Sequence, residues 1–437
     1  MPHRGTYYRP TVLSSSSWWP FRPSHQLARG RLLPGTAHPV RRVLLALVVV
    51  LVVLATAGWL ASTRQDAPNP LAIQLSEWAH AEVAGRRPPS ADAPPAEVAA
   101  FFADLGTARS ERLAERFPLV VGNLSGAPVP LRYQANRRAI EDARAVELRR
   151  AEDARLSPEG QGDAARRAHR LASLLRADRQ ILAFDPTGPG RVAEVFGDLT
   201  TADRISLLVP GVDTDLITFE RTEGRYTAPA GMAQALLAEE RAQAPGIAAA
   251  TIAWADYDAP PGLAMSAATA GRAERGAARL LDTLAGLPSD AELALFCHSY
   301  GSVVCGVAAD ELPSRVTDIA VTGSPGMRAD SVADLGTSAR VWAMRAADDW
   351  VADLPHLSIG PLGHGTDPVS PAFGARRLSD EGAHGHDGYY QPGAHSLRAL
   401  ALVGAGVNAA TDCAPGGDGC AAFTTCPEPV HAGGQTS

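Results

Sequence analysis

A serine, several late carboxylates and a run of histidines are the residues of this 437-residue chain whose types and spacing could do covalent chemistry. The serine is Ser299. It follows the apolar run Leu293-Ala-Leu-Phe296 and the pair Cys297-His298. It precedes Tyr300-Gly301-Ser302 and the small-residue pattern Val303-Val-Cys-Gly-Val-Ala-Ala. This reads as strand, sharp turn and helix with a serine at the apex. Such a turn pushes the serine oxygen into the open, where it can attack a carbonyl, and it needs small neighbours so that strand and helix pack closely. Gly301 and Gly306 meet that need on the helix side. Cys297 stands where the G-x-S-x-G pattern has its first glycine, and cysteine is small enough to serve.

A serine hydroxyl is a weak nucleophile. It needs a base, an acid that orients the base, and donors for the oxyanion that forms. Around an elbow of this kind the partners follow in the order serine, acid, histidine. The next acid after a strand lies in Val341-Trp-Ala-Met-Arg-Ala-Ala-Asp348-Asp349-Trp350-Val351. Two adjacent carboxylates compete there. The Asp-x-Val spacing, with the valine docking the loop, favours Asp349 over Asp348, and Asp353 is more remote. The histidine is expected in a loop before the last helix. His386, which opens His386-Asp-Gly-Tyr-Tyr390, fits that place. His384 precedes it, and His395 falls inside the helix, where a ring is less free to reach a serine. His298, His356 and His364 read as hydrogen-bonded loop or surface residues. The oxyanion donors are expected to be the backbone N–H of Tyr300 and that of Val212, where Gly211 lets the chain turn its N–H groups inward. This chemistry needs no metal and no organic cofactor.

These residues need a scaffold, and the sequence from Gln180 onward has its texture. Short apolar runs at Ile181–Phe184, Val192–Phe196, Ile205–Val209, Ala249–Trp254, Leu293–Cys297, Ile319–Thr322 and Val341–Met344 alternate with helical patterns at about 229–243, 264–287, 300–312 and 394–409. Continuous apolar strands between helices imply a mostly parallel sheet covered on both faces. Ligands bind such sheets at the carboxyl ends of the strands. Val212, Ser299 and Asp349 each come soon after a strand, and His386 precedes the last helix. Upstream, Arg86-Arg-Pro-Pro-Ser-Ala-Asp-Ala-Pro-Pro95 reads as a spacer within a linker that runs from 63 to about 100. One amphipathic helix is expected over Ala96–Phe117, a charged helix over about 134–155, and another ending near Arg176.

The chain from about Pro118 resembles an actinobacterial α/β-hydrolase family long catalogued as a domain of unknown function. The residues that carry the resemblance are Leu182-Ala-Phe-Asp185-Pro-Thr-Gly-Pro-Gly-Arg-Val-Ala-Glu-Val-Phe-Gly-Asp198, Val209-Pro-Gly-Val212, Trp254-Ala-Asp-Tyr-Asp258-Ala-Pro, His298-Ser-Tyr-Gly-Ser302 and Asp367-Pro-Val-Ser-Pro-Ala-Phe-Gly374. Gly122-Asn-Leu-Ser-Gly-Ala-Pro128 with Arg132-Tyr-Gln-Ala-Asn136 is similar to the helical segment that often precedes that domain. The resemblance covers roughly Pro118 to Gly406. It implies an α/β-hydrolase fold, a mostly parallel sheet flanked by helices, with Ser299, Asp349 and His386 as a triad. It implies no substrate.

Composition sets the location. All 40 basic residues are arginine, and 80 residues are alanine, a pattern of GC-rich coding. The absence of lysine excludes a Schiff base, a phosphate-loop lysine and a Ser–Lys dyad. The net charge of −7 is split: residues 1–42 carry seven arginines and no acid, so the remainder carries −14. The basic stretch runs into Val43 to Ser62, twenty uncharged residues that as a helix would span about 30 Å, the thickness of a bilayer core. Flanking Arg41 and Arg42 place the N-terminus in the cytoplasm and the rest outside. Ala55-Thr56-Ala57 offers a competing reading as a cleavable signal, with secretion as its consequence. An acidic exported body has no electrostatic case for nucleic acid.

The expected plan is a basic tail at 1–42, a transmembrane helix at 43–62, a linker and helical segment at 63–178, the hydrolase domain at 179–410 and a cysteine-containing tail at 411–437. In the oxidising space outside, Cys413, Cys420 and Cys426 suit a small disulfide loop, whereas Cys297 and Cys305 read as buried thiols. The expected function is a membrane-anchored serine hydrolase acting on small-molecule or lipid esters, its surroundings taken to be apolar. The alternatives are an idle hydrolase fold that binds or scaffolds the envelope, and an acyltransferase.

Overall fold

A computed structural model of the chain describes residues 69–262, 265–359 and 362–407. The apolar span expected at 43–62 and the cysteines Cys413, Cys420 and Cys426 lie outside these residues. Among the described residues no helix is long and apolar enough to cross a membrane. The described residues fall within one compact unit that begins at Pro68.

Its first part is helical: α1 Pro70–Ala79, α2 Pro95–Leu105, α3 Thr107–Arg116, α4 Val129–Ala151 and α5 Pro158–Leu174. Proline opens α1, α2 and α5, where its missing N–H costs nothing. The single helix expected over Ala96–Phe117 is two, because Gly106 takes φ 75° between α2 and α3. The stretch read as a linker is anchored. The Trp78 indole N–H donates to Pro89 O at 2.7 Å, and the Trp78 ring is buried among Val98, Phe102 and Phe117.

The second part alternates strands and helices: β1 Gln180–Asp185, β2 Arg191–Phe196, β3 Arg204–Val209, α6 Pro229–Gln243, β4 Ala249–Ala255, α7 Gly271–Ala285, β5 Glu292–His298, α8 Gly301–Ala308, β6 Val316–Thr322, β7 Arg340–Met344, β8 Arg376–Arg377 and α9 His395–Gly404. They form one sheet in the order β1-β2-β4-β3-β5-β6-β7-β8. β2 runs antiparallel to both neighbours, and every pairing from β4 to β8 is parallel. All seven strands expected from the apolar runs are present. β8 is an eighth that no apolar run marks, being two arginines paired with Trp342 and Ala343 of β7. The helix expected over about 264–287 is divided into a short helix Met265–Ala268 and α7, and the last helix ends at Gly404.

The continuous apolar character of the strands follows from burial on both faces. Alternate side chains divide between the faces. Leu207, Val209 and Leu295 pack with Leu280 of α7 and Val304 of α8. Leu208, Phe296 and Trp342 pack with Leu236 of α6 and Leu400 of α9. The edge strand β1 is capped by the helical part. Asn123 Nδ2 donates to Phe184 O at 2.8 Å while Phe184 N–H donates to Asn123 Oδ1 at 2.9 Å, so one side-chain amide stands in for a neighbouring strand. Asn136 Nδ2 donates to Ile181 O at 3.0 Å and to Gly122 O at 2.9 Å. The carboxyl ends of β3, β5, β6 and β7 thus belong to a sheet packed on both faces and covered at its β1 edge.

Candidate active site

The turn after β5 is built as the sequence requires. Ser299 sits at φ 54°, a left-handed conformation that costs energy for any residue with a Cβ. Its backbone N–H donates to Thr322 O of β6 at 3.0 Å, and its own carbonyl accepts from Ser302 N–H at 3.0 Å. These bonds hold the strained turn. Two glycines leave it space. A Cβ on Gly301 would lie 2.2 Å from Val209 O, and one on Gly211 would lie 2.6 Å from Ser299 Cβ. Backbone of the β3 loop therefore runs against the serine itself, with Val212 on the cleft wall beside Ser299. Tyr300 follows Ser299 at the start of α8, its hydroxyl turned away to donate to Thr269 O at 2.9 Å.

Cys297 and Cys305 are not thiols. They form a buried disulfide that links the end of β5 to α8 across the turn. The apolar setting of both residues signalled burial but not pairing. Their pairing depends on the chain reversing between them, so that α8 packs back along β5.

From the loops after β7 and before α9 come the other two residues. Ser299 Oγ lies 2.8 Å from His386 Nε2. His386 Nδ1 lies 2.9 Å from Asp349 Oδ1 and 3.1 Å from Oδ2. A carboxylate can only accept, so Nδ1 carries the ring proton and Nε2 is left to accept from the serine hydroxyl. The Asp349 side chain is fully buried and that of His386 is 12% exposed. Burial pushes the Asp349 carboxyl up, but hydrogen bonds from His386, Tyr389 and Val351 N–H together outweigh it and hold the group below the usual carboxylate range. The arrangement can pass a proton from Ser299 Oγ to His386 while Asp349 stays ionised.

Asp348 and His395 are not part of this relay. Asp348 is exposed and accepts from Gly385 N–H at 2.8 Å. His395 is half exposed at the start of α9, with Glu381 3.9 Å away. His384 is exposed near Asp348.

Three neighbours of the relay were not anticipated. The Tyr389 hydroxyl donates to Asp349 Oδ2 and accepts from Ala346 N–H at 3.1 Å. It is buried, and its place three residues after His386 was its only mark in the sequence. His298, expected in a loop or at the surface, is buried at the end of β5. Its Nε2 donates to His386 O at 2.8 Å. Burial and the nearby His386 ring push its pKa down to about 4, so it is neutral at ordinary pH. The Trp350 ring lies 4.7 Å from the His386 ring, centroid to centroid. His298, His386 and Asp387 could each offer a ligand atom to a metal ion within one small space. Both His386 nitrogens face Ser299 and Asp349, however, so a metal there would displace the relay.

Ser299 and His386 open on a cleft of about 180 Å³. Its wall carries Asp213, Thr214, Thr218 and Arg221 beside Val212, Pro229 and Met232, so it is more polar than the apolar setting expected.

Residues 185–359 match the sequence profile of a family described as alpha/beta hydrolase. The uncharacterized protein Rv2079 of Mycobacterium tuberculosis is 27% identical over 380 residues, covering 73% of this chain and 56% of that protein. The chain thus spans little more than half the length of that relative. The uncharacterized protein Rv0963c of the same organism is 31% identical over 204 residues, 41% of this chain and 73% of its own length. Among solved structures, the dienelactone hydrolase of Anabaena variabilis is similar at 17% identity and TM-score 0.29, over 50% of this chain and 90% of its own. Est1E of Butyrivibrio proteoclasticus is similar at 11% identity and TM-score 0.32, over 52% of this chain and 97% of its own.

Proposed function

The chain belongs to the alpha/beta hydrolase family, and on that premise we propose that it is a serine hydrolase of carboxylic esters, held at the outer side of a membrane by residues 43–62. The observation that carries this reading is the unbroken hydrogen-bonded series from Ser299 through His386 to Asp349.

The reaction proceeds in two halves. His386 Nε2 takes the hydroxyl proton of Ser299 as Oγ bonds to the ester carbonyl carbon. The carbonyl oxygen becomes an oxyanion, which the N–H groups of Tyr300 and Val212 hold. Such a donor is worth about 3–4 kcal/mol of transition-state stabilisation. The carbon–oxygen bond to the alcohol then breaks, and His386 gives its proton to the departing alkoxide, leaving an acyl-serine. Water enters, His386 takes one of its protons, and the hydroxide attacks the acyl carbon. Ser299 Oγ leaves with the proton returned by His386, and the acid is released. Asp349 remains charged throughout and holds the histidine in the tautomer the cycle needs.

A cleft of about 180 Å³ lies below the range of roughly 300–1,000 Å³ common for drug-sized ligands. This favours a short acyl group over a fatty chain. The disulfide between Cys297 and Cys305 supports placement outside the cytosol, since disulfides persist in oxidising compartments. The basic flank of the apolar span supports the same orientation.

The test is a fluorophosphonate probe on the full chain in detergent micelles, beside Ser299→Ala, followed by a series of p-nitrophenyl esters. Labelling of the parent alone, with acetate and butyrate cleaved faster than palmitate, is the expected result. A folded parent protein that takes no label would overturn the hydrolase reading.

A further inference from the structure

Two of the signature stretches have no part in the relay: Asp185-Pro-Thr-Gly-Pro-Gly-Arg191 and Trp254-Ala-Asp-Tyr-Asp258-Ala-Pro. In space they meet around a second cavity of about 400 Å³, within the usual range of small-molecule sites. Thr214 lines both this cavity and the cleft at Ser299, so the two adjoin.

The walls of this cavity are fixed in advance. Arg191 donates to Asp185 and, at 3.0 Å, to Asp258 Oδ1, and its Nε lies 3.5 Å from Asp256 Oδ1. Arg279 Nη2 reaches both oxygens of Asp256 at 2.7 Å. Arg272 Nη1 donates to Asp258 O at 3.2 Å. The glycine turn between β1 and β2 is held from the helical part. Arg167 of α5 donates to the carbonyls of Pro186, Gly188 and Pro189 at 2.6, 3.1 and 3.2 Å. From the start of α1, Asn69 Oδ1 accepts from the Thr187 hydroxyl at 3.0 Å. A Cβ on Gly188 would meet nothing within 4 Å, so this turn presents open backbone. The loop that separates the two cavities is tied to the far wall, since Asp213 N–H donates to Pro260 O at 2.9 Å and Gly262 N–H to Asp213 Oδ1 at 2.7 Å.

The chemistry of the walls selects a ligand class. Two lining carboxylates, Asp185 and Asp258, are matched by two lining guanidinium groups, Arg191 and Arg272, with the Asp256–Arg279 pair behind them. A net-neutral cluster gives no long-range attraction to a phosphate or to an amine. It instead offers oriented acceptors and donors side by side, with the Asp258 carboxylate half exposed. A hydroxyl is both donor and acceptor, so a group with several hydroxyls can use each of these partners where an ion can use only one sign. Leu71 and Ala259 add small apolar surface of the kind that the C–H faces of a sugar ring can cover.

We propose that this second cavity binds a neutral polyhydroxylated group, a sugar or similar polyol, as the alcohol part of the ester whose acyl group enters the cleft at Ser299. Its place in the reaction rests on the hydrolase reading; the binding itself does not. The helical part then has a functional share, because α1 and α5 hold one wall.

The test is saturation-transfer NMR of methyl α-D-glucopyranoside with the full chain carrying Ser299→Ala in detergent micelles. Asp258→Ala and Arg272→Ala are introduced separately, and each fold is checked by circular dichroism. Transfer to the glucoside, with the dissociation constant raised at least tenfold in each folded variant, is the expected result. If one variant unfolds, the other decides. Absence of transfer, equal binding by a folded variant, or a preference for inorganic phosphate over the glucoside would overturn the proposal. Fluorophosphonate labelling of the parent keeps the two readings apart. Label without glucoside binding removes only the sugar site, and glucoside binding without label removes only the hydrolase.

Discussion

Asp348 and Asp349 are adjacent, and only one of them faces the histidine. Asp349 is buried against His386 and Tyr389, whereas Asp348 caps a loop amide in solvent. Asp349→Asn leaves the shape but offers an amide where the Nδ1 proton must be accepted. Its kcat should fall by about 10³–10⁴, while Asp348→Asn should stay close to the parent on p-nitrophenyl acetate. Comparable losses in the two variants would refute the assignment. Tyr389→Phe removes one hydrogen bond to an ionised group, an interaction worth about 1.5–3 kcal/mol. The expected loss is at least about tenfold in kcat, with KM little changed. A KM effect alone would show that Tyr389 serves binding and not the relay.

At the scale of elements, β5, the turn and α8 act as one unit. The disulfide closes a loop of a few residues around Ser299, which by chain entropy is worth about 2–3 kcal/mol. The variant carrying both Cys297→Ala and Cys305→Ala should unfold at lower denaturant by that amount, and chemical denaturation with and without reductant measures it. A parent protein whose midpoint is unmoved when both sulfurs are shown to be reduced would contradict this. α6 carries a different device. Glu240 is buried beneath the sheet, hydrogen-bonded by Ser206 and, at 3.2 Å, by Thr251. Burial raises its pKa from the ordinary 4.5 to about 7. Between those values the unfolded chain has released the proton and the folded chain keeps it. The unfolded state then binds fewer protons, so stability falls as pH rises through this window and levels off above it. The loss is about 3 kcal/mol in order of magnitude. Glu240→Gln should flatten the dependence of unfolding free energy on pH between 5 and 8. An unchanged slope would show that another group governs it.

Across the whole molecule, the helical part and the sheet are joined by specific amides and not by apolar contact alone. Asn123 and Asn136 satisfy backbone groups of the edge strand β1, and Arg132 adds a bond to Gly122 O at 3.2 Å. An uncovered edge strand invites pairing with another chain. Asn136→Ala leaves a buried carbonyl without its donor and should cost about 1–3 kcal/mol. Removing residues 69–178 should leave the sheet prone to aggregation, checked by light scattering during refolding. A monomeric, folded remainder would show that the edge does not need its cover.

The sequence by itself determined the seven main strands, the helices between them and the place of the serine. Continuous apolar runs and small residues after β5 are local signals, written in neighbouring positions. The convergence of Asp349 and His386 beside Ser299 was also legible, because chain order and loop position restrict the candidates strongly, while their catalytic roles remain the proposal. Tertiary structure alone decided what depends on parts distant in sequence. The partnership of Cys297 with Cys305 needs α8 to fold back along β5. The burial of His298, the contact of Tyr389 with Asp349 and the polarity of the cleft depend on which loops meet above the sheet. The second cavity needs Asp185, Asp258 and Arg272 to converge from three elements, with Asn69 and Arg167 bracing its wall from the helical part. Pattern and propensity act between neighbours along the chain, whereas a site is made by contacts across it.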